Sequence, residues 1–107
     1  MLFRSLGVDA LSGGETSIAI GNMSGTASKA TSSVAIGNAA VVKGAKGLAV
    51  GVDSEAVGEQ SMAIGASSEA IGNSAVAFGD TAKAKAEGSV SIGASTNVSG
   101  KIGRAHV

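Results

Sequence analysis

The sequence predicts an all-β solenoid, a parallel β-roll of 14-residue coils with two short strands in each coil, on three observations. A glycine closing a large, small, large apolar triplet recurs at Gly21, Gly37, Gly51, Gly65, Gly79 and Gly93, and after a first interval of sixteen residues every spacing is fourteen. A second glycine follows seven residues later at Gly14, Gly44, Gly58, Gly72 and Gly100. Phe3 and Phe78 are the only aromatics, and Trp, Tyr, Pro and Cys are absent, so the core has to be made of Ala, Val and Ile. A period this short is one supersecondary unit stacked on itself, and the stack shares one continuous core.

The two ends do not look like the middle. Leu2-Phe3-Arg4-Ser5 is what CTC-TTC-CGA-TCT encodes and Ile102-Gly103-Arg104-Ala105-His106-Val107 is what ATC-GGA-AGA-GCA-CAC-GTC encodes; both resemble translated sequencing-library adapters. Residues 1–5 and 102–107 are therefore set apart from the repeat domain, 6–101, an expectation the underlying DNA read would settle. Without them the only histidine and both arginines go, leaving six lysines against eight acids, and the domain is an internal piece of a longer protein.

The repeat begins with Leu6-Gly7, the remnant of a copy fourteen residues before Gly21. Two glycines half a period apart mark two turns per coil, since glycine reaches positive φ without steric cost and each coil must reverse twice. Each coil is thus strand, turn, strand, turn, with turn glycines at Gly7, Gly21, Gly37, Gly51, Gly65, Gly79 and Gly93. Ala86 stands in the second place of one copy, with Gly88 close by. The two extra residues between Gly21 and Gly37 fall within Asn22 to Ser32 and predict a bulged loop at a turn, with the ladders on either side kept in register.

Along the first strand the middle position reads Ala19, Ala35, Ala49, Ala63, Ala77 and Ser91. Its flanks read Ile18, Val34, Leu48, Met62, Val76 and Val90 on one side and Ile20, Ile36, Val50, Ile64, Phe78 and Ile92 on the other. Side chains alternate faces along a strand, so one face is a column of small residues and the other a double column of large apolar ones. The second strand faces the small column with Ala40 and Val42, Ser54 and Ala56, Ser68 and Ala70, Ala82 and Ala84, Thr96 and Val98. It turns Lys43, Glu55, Glu69, Lys83, Lys85 and Asn97 outward. Small against small gives a thin roll whose interior is already filled, and the twelve large side chains face nothing in the same chain. Burying such side chains contributes roughly 1.5 to 3 kcal/mol each, on the order of 20 kcal/mol together as an upper estimate, against a net domain stability of about 5 to 15 kcal/mol. Self-association along this stripe is the expectation.

Eight basic and eight acidic residues balance, which removes the electrostatic case for nucleic acid or an anionic membrane surface. The lack of cysteine excludes a disulfide framework and a thiolate metal site. No segment approaches the roughly 18 consecutive apolar residues of a membrane-spanning helix, and no secretion signal opens the chain; for an exported protein the signal would lie outside it. The serines have no cysteine or credible histidine beside them, so no activated nucleophile is expected and the hydroxyls read as strand and turn residues. Glu55 and Glu69 stack about 4.8 Å apart with Lys83 next, a solvated ladder rather than a metal site. The glycines follow neither the dinucleotide nor the phosphate-loop spacing, and the Gly-Gly-x-Gly-x-Asp calcium repeat is missing. No cofactor is expected.

Ser33-Val34-Ala35-Ile36-Gly37, Ser61-Met62-Ala63-Ile64-Gly65 followed by Ser68, and Ser17-Ile18-Ala19-Ile20-Gly21 followed by Ser24 resemble the head repeats of YadA-like trimeric autotransporter adhesins, whose signature is Asn-Ser-Val-Ala-Ile-Gly, two variable residues and a Ser. The resemblance spans roughly Leu6 to Lys101. It implies a left-handed roll, three copies packed with the apolar face inward, and a bacterial cell-surface location projecting from the outer membrane, with stalk and anchor elsewhere. It also implies attachment to host cells or extracellular matrix. One departure stands out: Thr16, Ser32, Gln60, Ser74 and Gly88 occupy the Asn place, and in the family that motif is linked to collagen-type ligands. The role of adhesin head carries over, and the particular ligand does not. By this reading the trimer interface is the twelve-residue stripe Ile18 to Ile92, and the outer binding face includes Lys43, Glu55, Glu69, Lys83 and Lys85, making many shallow contacts. The alternative is a structural spacer or phage-fibre segment that projects another binding tip. An ice-binding solenoid would want a regular threonine column, and Thr16, Thr26, Thr31, Thr81 and Thr96 form none.

Overall fold

The computed structural model describes residues 3–99 and 104–105, with side chains over 5–99. Gly100, residues 101–103 and residues 106–107 of the expected adapter tail lie outside the described residues. Fifteen short strands follow in order: β1 (Phe3–Leu6), β2 (Leu11–Ser12), β3 (Ser17–Ile20), β4 (Gly25–Thr26), β5 (Val34–Ile36), β6 (Val41–Val42), β7 (Leu48–Val50), β8 (Glu55–Ala56), β9 (Met62–Ile64), β10 (Glu69–Ala70), β11 (Val76–Phe78), β12 (Lys83–Ala84), β13 (Val90–Ile92), β14 (Asn97–Val98) and β15 (Arg104–Ala105). Odd-numbered strands form one sheet and even-numbered strands the other, each in chain order. Every pairing is parallel. This is the expected all-β solenoid, of about seven coils. Its 37 Å length agrees with seven coils at about 4.8 Å each, and it is only 11 Å thick.

The thinness follows from the inner columns. Ala19, Ala35, Ala49, Ala63, Ala77 and Ser91 face Ala56, Ala70 and Ala84 across the roll, all of them fully buried. One coil shows how tight this space is. Val42 is the largest fully buried side chain among the described residues, and a Cβ added at Gly47 would stand 2.7 Å from Val42 Cγ1. The place of Gly47 is serine in four other coils (Ser17, Ser33, Ser61, Ser89) and alanine in one (Ala75), and that of Val42 is alanine in three (Ala56, Ala70, Ala84). Gain at one position is offset by loss at the other.

Buried serines close the turns. At the first turn the hydroxyls of Ser24, Ser54 and Ser68 each donate to the carbonyl of Gly21, Gly51 and Gly65 at 2.9 Å, and Thr96 does the same to Gly93 at 2.8 Å. At the second, Ser61 and Ser89 donate to Gly58 and Ala86 at 2.6 Å. These carbonyls also accept the backbone N–H of the same residue, as Gly51 does from Ser54 at 3.3 Å. Among the described residues no buried side-chain polar atom lacks a partner, which is what lets so polar a core persist.

The turn glycines differ in what they do. Gly51 has a φ of +131°, and a Cβ there would lie 2.6 Å from the Gly65 carbonyl oxygen. Gly58 is outside the positive-φ range, so the conformational reason expected for the second turn is corrected to a packing one: its Cβ would collide with the Gly72 carbonyl of the next coil. In both turns left-handed backbone falls on the second residue after the glycine, as at Asp53 (φ 60°) and Gln60 (φ 58°).

The insertion behaves as expected. Gly25 pairs with Leu11 and with Val41, and Val34 pairs with Ile18 and Leu48, so both ladders are in register across it. Ala30 then occupies the place of Gly14, whose added Cβ would meet the Ala30 carbonyl, which makes Ser28 and Lys29 the extra pair.

The Val42–Gly47 exchange is testable as a double-mutant cycle. Gly47→Ser alone should cost about 1–3 kcal/mol through overpacking, and Val42→Ala alone about 1–3 kcal/mol through the cavity. The double variant, which rebuilds the alanine–serine pair of Ala56 with Ser61 and of Ala84 with Ser89, should lose less than either single in urea denaturation. Additive losses would show that the two positions are not coupled.

Candidate functional site

Three surfaces remain once the core is closed: the apolar face of the odd-numbered sheet, the outer face of the even-numbered sheet, and the turns. On the apolar face Ile20, Ile36, Met62, Phe78 and Ile92 are 37–50% exposed. Ile18, Val34, Leu48, Val50, Ile64, Val76 and Val90 are half-buried, covered by the same column in adjacent coils. Each coil therefore already shields part of its neighbours, and the gain left for covering this face is nearer to about 10 kcal/mol than to the full-exposure figure. It is still a continuous apolar stripe running the length of the roll.

The outer face of the even-numbered sheet carries two columns. Glu55, Glu69 and Lys83 stand in register in one, with Val41 before them and Asn97 after. Lys43 and Lys85 stand in the other, two residues further along each coil, together with Val57 and Ile71. The stacked carboxylates are relieved from both sides, because Lys43 Nζ lies 2.7 Å from Glu55 Oε2 and Lys83 Nζ lies 3.7 Å from Glu69 Oε2. Both pairs are solvated and contribute well under about 1 kcal/mol each, so they order this face more than they stabilise it. Leu11, Val41, Val57 and Ile71 also lie on it, which makes it less polar than the lysines and glutamates alone suggest. Reading the strand as one alternating polar column concealed this.

At the second turn the inserted pair overhangs the next coils. Lys29, Lys43, Gly44, Ala45, Val57, Glu59 and Asn73 line a groove of about 320 Å³. The insertion is plain in the sequence; that Lys29 would wall a groove over residues up to 44 positions away depends on how the coils stack.

The turns explain the place where the adhesin signature has asparagine. Thr16, Ser32, Lys46, Gln60 and Ser74 have φ between 55° and 60°, and Gly88 has 69°. The N–H of this residue donates to the coil before it, from Gln60 to the Ala45 carbonyl and from Ser74 to that of Glu59, both at 2.8 Å. Left-handed backbone costs an L-residue roughly 1–2 kcal/mol, and asparagine tolerates it best after glycine. The place is thus a conformational one, and its side chain sits at an exposed corner.

A family model described as the YadA head domain repeat (2 copies) matches residues 28–54, 43–68 and 70–96. Among solved structures, the collagen-binding domain of the Yersinia adhesin YadA is similar, with 33% identity and a TM-score of 0.59 over 79% of this chain. The chain spans 54% of that domain, about half its length. No curated protein sequence matches the chain.

If the asparagine place is conformational, Gln60→Asn should stabilise the roll by about 0.5–1 kcal/mol by relieving part of the left-handed penalty. Thermal melting would show it as a rise of a few degrees, and a fall would mean that the Gln60 side chain makes a contact of its own.

Proposed function

The chain belongs to the YadA head domain repeat family, and we propose that residues 6–101 form the head segment of a bacterial surface adhesin that attaches to host cells or extracellular matrix as a homotrimer. The observation that carries the reading is the division of surfaces. The small side chains that close the roll are used inside it, while twelve large apolar side chains form a continuous stripe along one face. Covering that stripe with two further copies leaves the outer sheet and the turns facing outward on all three chains. That surface repeats every coil and three times about the axis, so weak contacts add up to strong attachment. A matrix ligand is supported by the similarity to the collagen-binding domain of YadA. The role is one of binding, with no enzymatic step and no cofactor, at the bacterial surface, where the protein projects from the outer membrane.

Distributed attachment has a measurable pattern. Single substitutions such as Glu69→Gln or Lys85→Ala should weaken retention on collagen, fibronectin or laminin surfaces by about twofold. Reversing the column with Glu55→Lys, Glu69→Lys and Lys83→Glu together should weaken it by at least about tenfold. Wild-type protein that is retained on no matrix or cell surface would favour the spacer reading.

A further inference from the structure

The groove at the second turn is the place where the roll stops repeating. Its wall at Lys29 comes from the one coil that exceeds fourteen residues, so the other coils have no counterpart to it. Its charges are also unlike those of the outer columns. Lys43 is held by Glu55, whereas Lys29 and Glu59 take part in no ion pair among the described residues, either with each other or with a third group. The groove of about 320 Å³ therefore presents one uncommitted ammonium and one uncommitted carboxylate. One coil beyond Glu59, Asn73 Oδ1 accepts the backbone N–H of Glu59 at 3.0 Å. That bond fixes the amide and leaves its two N–H donors for a partner. Val57 supplies an apolar patch, and Gly44 and Ala45 have too little side chain to keep a second backbone away.

From this arrangement we infer that the groove is a discrete docking site for an extended peptide carrying an acidic and a basic side chain a few residues apart. The acid pairs with Lys29 and the base with Glu59, a main-chain carbonyl of the peptide accepts from Asn73, and an aliphatic stem lies over Val57. A purely anionic ligand would bring like charge against Glu59, and a purely cationic one against Lys29, so only a ligand bearing both signs satisfies the groove. The inference rests on the adhesin reading for the class of partner, a protein, and it adds one specific site to a distributed surface.

The test is a chemical-shift titration of the isotope-labelled full chain with two end-capped tripeptides, Glu-Val-Lys and its reverse, Lys-Val-Glu, whose two charged side chains share one face of an extended chain. One of the two orders should shift the amides of Ala45, Glu59 and Asn73 and leave other coils unmoved. Deleting Ser28 and Lys29 restores the fourteen-residue spacing without touching either ladder register, so it should keep the fold and abolish those shifts. Lys29→Glu should weaken binding about five- to tenfold, Asp53→Asn at the first turn should not, and the swap Lys29→Glu with Glu59→Lys should transfer the preference to the reversed peptide. Shifts from neither peptide, shifts spread over all coils, or unchanged binding in the deletion variant would overturn the inference. Retention on collagen surfaces, measured in parallel, separates the two claims. A wild type that is retained but deaf to both peptides refutes the groove alone, and one that binds a peptide but no surface upholds the groove while the adhesin reading falls.

Discussion

The two sheets stand so close that most coils admit nothing larger than alanine or serine between them, and the other features of the molecule follow from that. A thin interior excludes Ile, Leu, Met and Phe, so those residues lie outside, most of them in register on one face. It also forces each coil to reverse in a very short turn, which brings the backbone of one coil against the next at Gly51 and Gly58 and places the second residue after each glycine in left-handed backbone. Turn carbonyls buried in so small a space need donors, and the serine hydroxyls supply them from within the coil. Where one residue breaks the size rule, as Val42 does, a glycine opposite it restores the volume.

Much of this was legible because the repeat shows each position several times. The column Ala19 to Ser91 and its large flanks fix which face is inside, and the glycine spacing fixes the coil length. The insertion could be placed at a turn because the apolar pattern resumes unshifted after it. What stayed hidden was of two kinds. Conformation at a single residue leaves little trace in side-chain chemistry: Thr16, Lys46 and Gln60 share a left-handed φ with no resemblance among them, and Gly58 looks like any positive-φ glycine until the next coil is seen above it. Contacts between coils are equally silent. The Lys43–Glu55 pair joins residues twelve apart in different columns, and Lys29 reaches a groove whose far wall is Asn73.

The division of labour around the coil also shapes the kind of binding the surface can support. A regular roll presents the same shallow features at each step, so affinity comes from repetition and is tolerant of change at any one residue. Specificity needs a departure from the repeat. The chain has one conspicuous departure, the two-residue insertion, and it creates the groove with uncommitted charges of both signs. The asparagine place of the family signature lies on the other side of this distinction: its backbone conformation gives it a reason to be asparagine that is independent of any ligand.

Assembly of three copies is the proposed cover of the apolar face. Light scattering on the purified chain measures this directly, since one chain has a mass of 10.1 kDa. A folded species of three times that mass is expected, reduced to unassembled chains by Ile64→Asp, which would put a desolvated carboxylate against its two symmetry copies at the axis. A stably folded monomer at micromolar concentration, with the stripe left in water, would contradict it.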